Sequence, residues 1–237
     1  MSELVQEREA APADKIIFEG NDNMYDLSYV QKQLLNRETG ILGSSDSMKS
    51  AVILPLVYVN QELSILFEVR SKTLSKQPGE ICFPGGKIDP IDENAQAAAV
   101  RELSEEIGIA INAVEIVAPL DILVTPFRGI IYPFVGILKN LEDIKINPNE
   151  VDHIFTVPLS FFRNYQPQKH TMRMKFETGE GFPLKKIANN KQYSTNRYSD
   201  FSESFYYYKE YVIWGLTARI LTHFIEIMVQ SDKKKDS

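Results

Sequence analysis

Three glutamates within five positions, Glu102, Glu105 and Glu106, fall in a stretch that reads as one helix. The run from Ala95 to Ile107 holds neither Gly nor Pro, Asp92 or Asn94 can cap its amino end, and Gly108 is placed to end it in a left-handed conformation. At about 100° per residue, Ala99, Leu103 and Ile107 share an apolar stripe, with Glu102 and Glu106 beside it and Glu105 a little further round. Like charges three and four positions apart cost a helix roughly 0.2–0.5 kcal/mol per pair. A hard divalent cation removes that cost. Oxygen-only ligation suits Mg2+ or Mn2+, and sharing the ion with waters and substrate phosphates is the usual magnesium arrangement. Arg101, four positions before Glu105, can pair with it and hold it for the metal. The same Arg-Glu-Leu-Ser-Glu-Glu run is also ordinary composition for a solvated helix face.

The elements around this helix decide what its carboxylates meet. Phe83 ends a strand, and Gly85-Gly86 and an acidic loop then lead into the helix. Upstream, Ala51 to Val59 and Leu63 to Val69 read as strands joined by a turn at Asn60-Gln61-Glu62, and Leu27 to Arg37 as a helix with one apolar packing face. Downstream, Ala113–Ala118, Leu120–Thr125 and Gly129–Leu138 are β-branched and aromatic runs, hence further strands of a mixed sheet. Asn147 to Phe162 gives a polar turn, a strand and a short helix. His170 to Phe176 alternates like a strand, Gly179 to Asn196 is polar, and Phe205 to Ile213 reads as one aromatic-rich strand before a last helix to about Val229. The fold class is α/β (α+β).

Length and composition set outer limits. A chain of 237 residues with 43% hydrophobic content can bury a full core, and the expectation is one domain over residues 21–230. A flexible lead-in over 1–20, a hairpin excursion over 164–208 and a charged tail over 231–237 complete the expected layout. A formal charge of -6 argues against nucleic acid as a partner, while a local basic pocket can still take a phosphate-rich small molecule. No apolar run approaches the ~20 residues of a membrane helix. The acidic amino terminus lacks the order of a secretory signal, so the expected location is cytoplasmic and no membrane contact is expected. The lone cysteine, Cys82, reads as a small buried hydrophobe rather than a nucleophile. Phe127 and Arg128, at a strand junction, can line a pocket or sit in a solvent loop.

Gly85-Gly86, Glu93 and then Arg101-Glu102-Leu103-Ser104-Glu105-Glu106-Ile107-Gly108-Ile109 resemble the Nudix box. That family hydrolyses a nucleoside diphosphate linked to another moiety, and its fold is a mixed sheet sandwiched between helices. The box usually sets five residues between its glycine and first glutamate; here six separate Gly86 from Glu93. The longer spacing fits the coenzyme A diphosphatase branch, which Arg70, Ser71, Gly79, Phe83, Pro84, Gly85, Gly86, Asp89 and Asp92 also resemble. Where that branch has an arginine, this chain has Ser75, with Lys76 beside it. The resemblance extends over roughly residues 50 to 225, with weaker matches at Glu150–Leu159 and Ile213–Ala218.

The resemblance implies metal-dependent hydrolysis with Mg2+ or Mn2+ held by Glu102, Glu105 and Glu106 and by the carbonyl of Gly85 or Gly86. Glu150 joins them as a further carboxylate from outside the helix, serving as ligand or general base, unless it is a cap or a surface glutamate. Arg70, Lys72 and Lys76 crowd a loop suited to the 3'-phosphate and diphosphate of coenzyme A, with Phe83 beside them; as composition alone they are solvated cations. The implied products are 4'-phosphopantetheine and 3',5'-ADP. Rival substrates are ADP-ribose, NADH or another nucleoside diphosphate derivative, and a rival class is a catalytically silent nucleotide sensor. A third reading makes the Tyr206–Tyr208 hairpin an interaction surface, and whether this excursion serves as a lid or joins a homodimer stays open. His153 has the right chemistry for a base, but alternation sets it on the face of Val151 and Phe155, where a structural role fits.

Overall fold

The computed structural model describes residues 26–126, 129–139, 141–188 and 197–235. Phe127 and Arg128 lie outside them. The chain divides into two units between Leu42 and Gly43. In the first, Asp26 accepts the Tyr29 N–H and caps α1, Leu27–Leu34, none of whose residues is buried. The packing face expected there is therefore not formed, and the helix stops three residues before Arg37.

The second unit is built on β1 (Lys49–Val59), which lies between β2 (Glu62–Arg70) and a parallel neighbour, β7 (Gly129–Leu138). Asn60 and Gln61 both take positive φ, 50° and 68°, the left-handed pair that lets a two-residue turn match the twist of β1 and β2. β3 (Ile81–Cys82) extends the sheet beyond β2, and β4 (Gly85–Lys87) pairs with the first half of β1. β5 (Val114–Pro119) and β6 (Leu123–Thr125) pair with β7, and β8 (Val151–Pro158) pairs with β2.

Because β1 and β2 are covered on both faces, their side chains alternate between two cores. Ala51, Ile53, Val57 and Leu66 pack with Ala98, Ala99, Leu103 and Ile107 of α2, Ala95–Ile107. Leu54, Leu56, Ile65 and Phe67 face the opposite core, shared with α3 (Leu159–Asn164) and α4 (Gly215–Lys235). Fully burying Leu103 and Ile107 contributes about 1.5–3 kcal/mol each, which fixes the rotation of α2 and hence the direction of its glutamates. The last helix continues to Lys235, through the region expected as a charged tail.

The excursion is a ribbon of β9 (Gln168–Phe176), β10 (Arg197–Tyr208) and β11 (Tyr211–Ile213). The single strand expected over Phe205–Ile213 is broken at Lys209, whose φ of 53° turns the chain back on itself. Tyr211 returns to stack on Phe155 of β8 at 3.6 Å between ring centroids.

Candidate active site

α2 runs as the sequence predicts. Asn94 accepts the Ala97 N–H at its start, and Gly108 closes it at φ 69°. The glycine turn then meets the helix from the sheet side. Glu106 is 4% exposed and its Oε2 accepts the Gly85 N–H at 2.8 Å, while the Pro84 carbonyl accepts the Ile53 N–H at 2.9 Å. One short loop thus ties the centre of the sheet to the middle of the acidic helix face.

Gly85 has φ 152°, and a Cβ there would lie 2.6 Å from the Val52 Cα. Gly85→Ala is therefore expected to cost at least about 1–3 kcal/mol, lowering the melting temperature by roughly 2–12 °C in a thermal scan. At Gly86 an added Cβ would instead overlap the Glu102 carboxylate, so this glycine leaves space for a functional side chain.

Arg101 is the hub of the outer part. Its Nε and Nη2 donate to the two oxygens of Asp92 at 2.9 and 3.0 Å, and Nη2 also reaches the Lys87 carbonyl. Nη1 donates to Glu102 at 2.9 Å and to Glu105 at 3.1 Å. The pairing with Glu105 expected from the sequence is present, but Asp92 is the stronger partner. The acidic loop before α2 is folded around this arginine, and its hydrogen bonds hold the Asp92 carboxyl below its usual range. Asp92, weighed as a helix cap, anchors Arg101 instead, and capping falls to Asn94.

Burial governs the inner part. It pushes the Glu106 carboxyl up, and the neighbouring charge of Glu68 pushes it further. Burial likewise raises Glu68 on β2, which is fully enclosed, and to a smaller extent Glu102. Glu150 stands just before β8, its carbonyl bonded to the Ser71 N–H, and its charge is felt by both Glu68 and Glu102. Glu105 is the outlying member, with a half-exposed side chain. Among the described residues no three His, Cys, Asp or Glu side chains are gathered into a finished metal site. The contacts give the reason: Arg101 draws Glu102 and Glu105 to itself, and Gly85 holds Glu106. What the arrangement offers is carboxylate oxygens around the glycine turn, a donor set suited to a hard divalent ion.

The basic loop follows β2. Arg70 shares the α2-facing side of β2 with Glu68, and its buried Nε has no hydrogen-bond partner, while Lys72 and Lys76 are exposed. Phe83, expected beside the substrate, is 3% exposed and stacked on Phe67 at 5.1 Å in the core that faces α3 and α4. Its ring is used in packing, because β2 and β3 direct it away from α2. A register shift in the β2–β8 ladder sets Val151 opposite Arg70 and His153 opposite Val69, so His153 keeps only Phe155 as its same-face neighbour. Its ring lies against Tyr211, a structural contact. A groove of about 330 Å³ between Leu63, Leu159, Ile225 and Met228 lies at the opposite end of β2 from Glu68. No described helix is long and apolar enough to cross a membrane.

Sequence reasoning did not single out Glu68, and offered Asp92 only as a cap and as a position of the family resemblance, not as the partner of Arg101. Residues 48–176 match the NUDIX domain. The chain is 38% identical over 136 residues to the peroxisomal coenzyme A diphosphatase NUDT7 of Mus musculus, covering 57% of each chain. It is 31% identical over 185 residues to NudL of Photorhabdus laumondii, named as an uncharacterized Nudix hydrolase, covering 75% of this chain and 83% of that one. It is 32% identical over 125 residues to the mitochondrial coenzyme A diphosphatase NUDT8 of Homo sapiens, covering 52% of this chain and 53% of that one. The matches to the two coenzyme A diphosphatases thus span little more than half of their length. The domain match takes in β1 through β9 and with them α2, the glycine turn and Glu150, and the chain belongs to the Nudix family.

Proposed function

We propose that the protein hydrolyses the diphosphate bond of coenzyme A and its derivatives, with Mg2+ or Mn2+, to 4'-phosphopantetheine and 3',5'-ADP. The observation that carries this reading is the meeting of Glu102 and Glu106 with the Gly85-Gly86 turn, where Glu106 is buried without an ion-pair partner among the described residues and Gly86 leaves room for the Glu102 carboxylate. The similarity to coenzyme A diphosphatases supports the choice of substrate.

Glu102, Glu105 and Glu106 would hold the metal, with the carbonyl of Gly86 and, from outside the helix, Glu150. When bound, the ion neutralises charge on the diphosphate and lowers the pKa of a bound water. The chain's own part is positioning. Glu102 and Glu105 share one nitrogen of Arg101, whereas Asp92 holds the other two, so both glutamates can leave while the arginine stays anchored. Freed in this way, Arg101 still faces the site as a fixed cation. Arg70 sets a cation beside the inner carboxylates, its buried Nε without a hydrogen-bond partner, and Lys72 and Lys76 extend positive charge outward over the loop. Such donors match phosphate oxygens.

The test is a panel of coenzyme A, dephospho-coenzyme A, ADP-ribose and NADH with each metal, products identified by mass. Coenzyme A is the expected best substrate; a preference for ADP-ribose or NADH overturns the assignment within the family. Arg70→Ala with Lys76→Ala is expected to raise KM for coenzyme A at least about tenfold, a charge-assisted hydrogen bond being worth roughly 1.5–3 kcal/mol. Dephospho-coenzyme A should respond less. Equal losses on both substrates would remove the 3'-phosphate from the argument.

A further inference from the structure

The turn that holds the end of α2 also holds the basic loop. The last carbonyls of a helix find no partner within it. Here the Asn147 N–H donates to the Glu106 carbonyl at 2.8 Å and the Lys145 N–H to the Ile107 carbonyl at 2.9 Å. Gly108 permits this approach, because a Cβ there would overlap the Lys145 carbonyl. Asn147-Pro148-Asn149-Glu150 then reverses the chain, with proline and asparagine where a tight turn favours them. The Asn147 carbonyl accepts the Glu150 N–H at 3.0 Å and the Val151 N–H at 2.8 Å, and its Oδ1 accepts the Asn149 N–H at 3.1 Å. Beyond the turn, the Glu150 carbonyl accepts the Ser71 N–H at 2.8 Å. Ser71 follows Arg70 and roots the basic loop: it is 5% exposed, its hydroxyl is paired with that of Thr73, and its carbonyl accepts the Leu74 N–H. Backbone hydrogen bonds in series thus run from Ser71 through Glu150 and Asn147 to Glu106.

We propose, on the reading that this loop holds the substrate's phosphates and α2 the ion, that Asn147 is a positioning residue for the hydrolysis. Its turn sets the spacing between the two. Asn147 need touch neither substrate nor ion, since it acts through Glu106 and Glu150, the residues at the ends of its hydrogen bonds. Pro148 fixes its own φ, and the Asn147 side chain closes the turn beside it. Without that amide oxygen the Asn149 N–H loses its acceptor and the turn loosens. A misplacement of about 1 Å can cost 10²-fold in rate, whereas the charges of the loop still draw in an anionic substrate. The loss therefore falls on kcat rather than on KM.

The experiment compares the full chain with Asn147→Ala and with Asn147→Asp, which keeps an oxygen for the Asn149 N–H. For Asn147→Ala the expected kcat on coenzyme A with Mg2+ is at least about tenfold lower, with KM changed less than about threefold. Asn147→Asp should recover most of the parent's kcat. A merely structural role would produce neither the split nor the rescue. Parent-like kcat in Asn147→Ala overturns the proposal, as does a loss carried by KM or one that Asn147→Asp fails to recover. Amide hydrogen exchange supplies a readout that needs no turnover. Inorganic pyrophosphate bound without metal should slow exchange of the Ser71 and Asn147 N–H groups in the parent, and of Ser71 alone in Asn147→Ala. No slowing at Asn147 in the parent, or equal slowing in both proteins, overturns the coupling. If coenzyme A is not hydrolysed while this exchange pattern holds, the proposed function fails and the coupling stands.

Discussion

Glu106→Gln is expected to lower Mg2+-dependent hydrolysis by about 10²–10³-fold, the scale on which a fixed charge-stabilising group acts in an active site, while leaving the fold intact. Glutamine keeps the length of the side chain and an oxygen to accept the Gly85 N–H, so the tie between α2 and the glycine turn survives. What disappears is the negative charge. In the metal-free protein ionising that group is a burden, because the side chain is nearly enclosed and feels the charge of Glu68. Removing a buried charge without a partner is commonly neutral or stabilising. The variant should therefore melt no lower than the parent without metal and gain less from added Mg2+. Full turnover in Glu106→Gln would take Glu106 out of the metal-binding set.

The metal-free protein should lose stability as pH rises, and a divalent ion should give it back. In the folded chain the Glu106 carboxyl is pushed up to about 9 from an ordinary 4.5, mainly by burial, and Glu68 rises for the same reason. Over that interval the folded state binds more protons than the unfolded state, so the slope of stability against pH is negative. The contribution is complete below about 4.5 and is lost as pH climbs through about 9. A ligand that binds only the folded form at a hundred times its dissociation constant adds about 2.7 kcal/mol. For a chain of this size, that corresponds to a melting shift of roughly 5–11 °C. The shift should be larger at pH 8 than at pH 5.5, because the ion binds ionised carboxylates. Calorimetric scans with and without Mg2+ at both values decide it. A metal-free melting temperature that rises over the interval contradicts this account of the inner carboxylates.

Much of this was legible in the chain because it is locally encoded. Asn94, the Gly- and Pro-free run and Gly108 fix both ends of α2 within a few residues, and Asn60-Gln61 fixes the β1–β2 turn. The three box glutamates follow from helical spacing once the apolar stripe is identified. Glu68 was hidden for a physical reason. β2 is buried on both sides, so its sequence shows no polar–apolar alternation, and only the packing of α2 against the sheet tells which face position 68 takes. Asp92 was misread because a cap two residues upstream was the nearest use for it, whereas its partner is nine positions away along the chain. Phe83 resembles a family position, but its direction is set by the pairing of β3 with β2. Lys209 interrupts an aromatic run without Gly, Pro or Asn to mark the reversal, so the turn there is imposed by the pairing of Tyr206 with Ile213.

The loop at Pro84-Gly85 has one hand on the central strand and the other on the helix, through the Ile53 N–H to Pro84 carbonyl bond and the Gly85 N–H to Glu106 bond. A pull on the Glu106 carboxylate is thereby felt two bonds away inside the sheet. The amide protons of Gly85 and Ile53 are built-in reporters: their exchange with deuterium follows occupancy of the site without any label, dye or substrate.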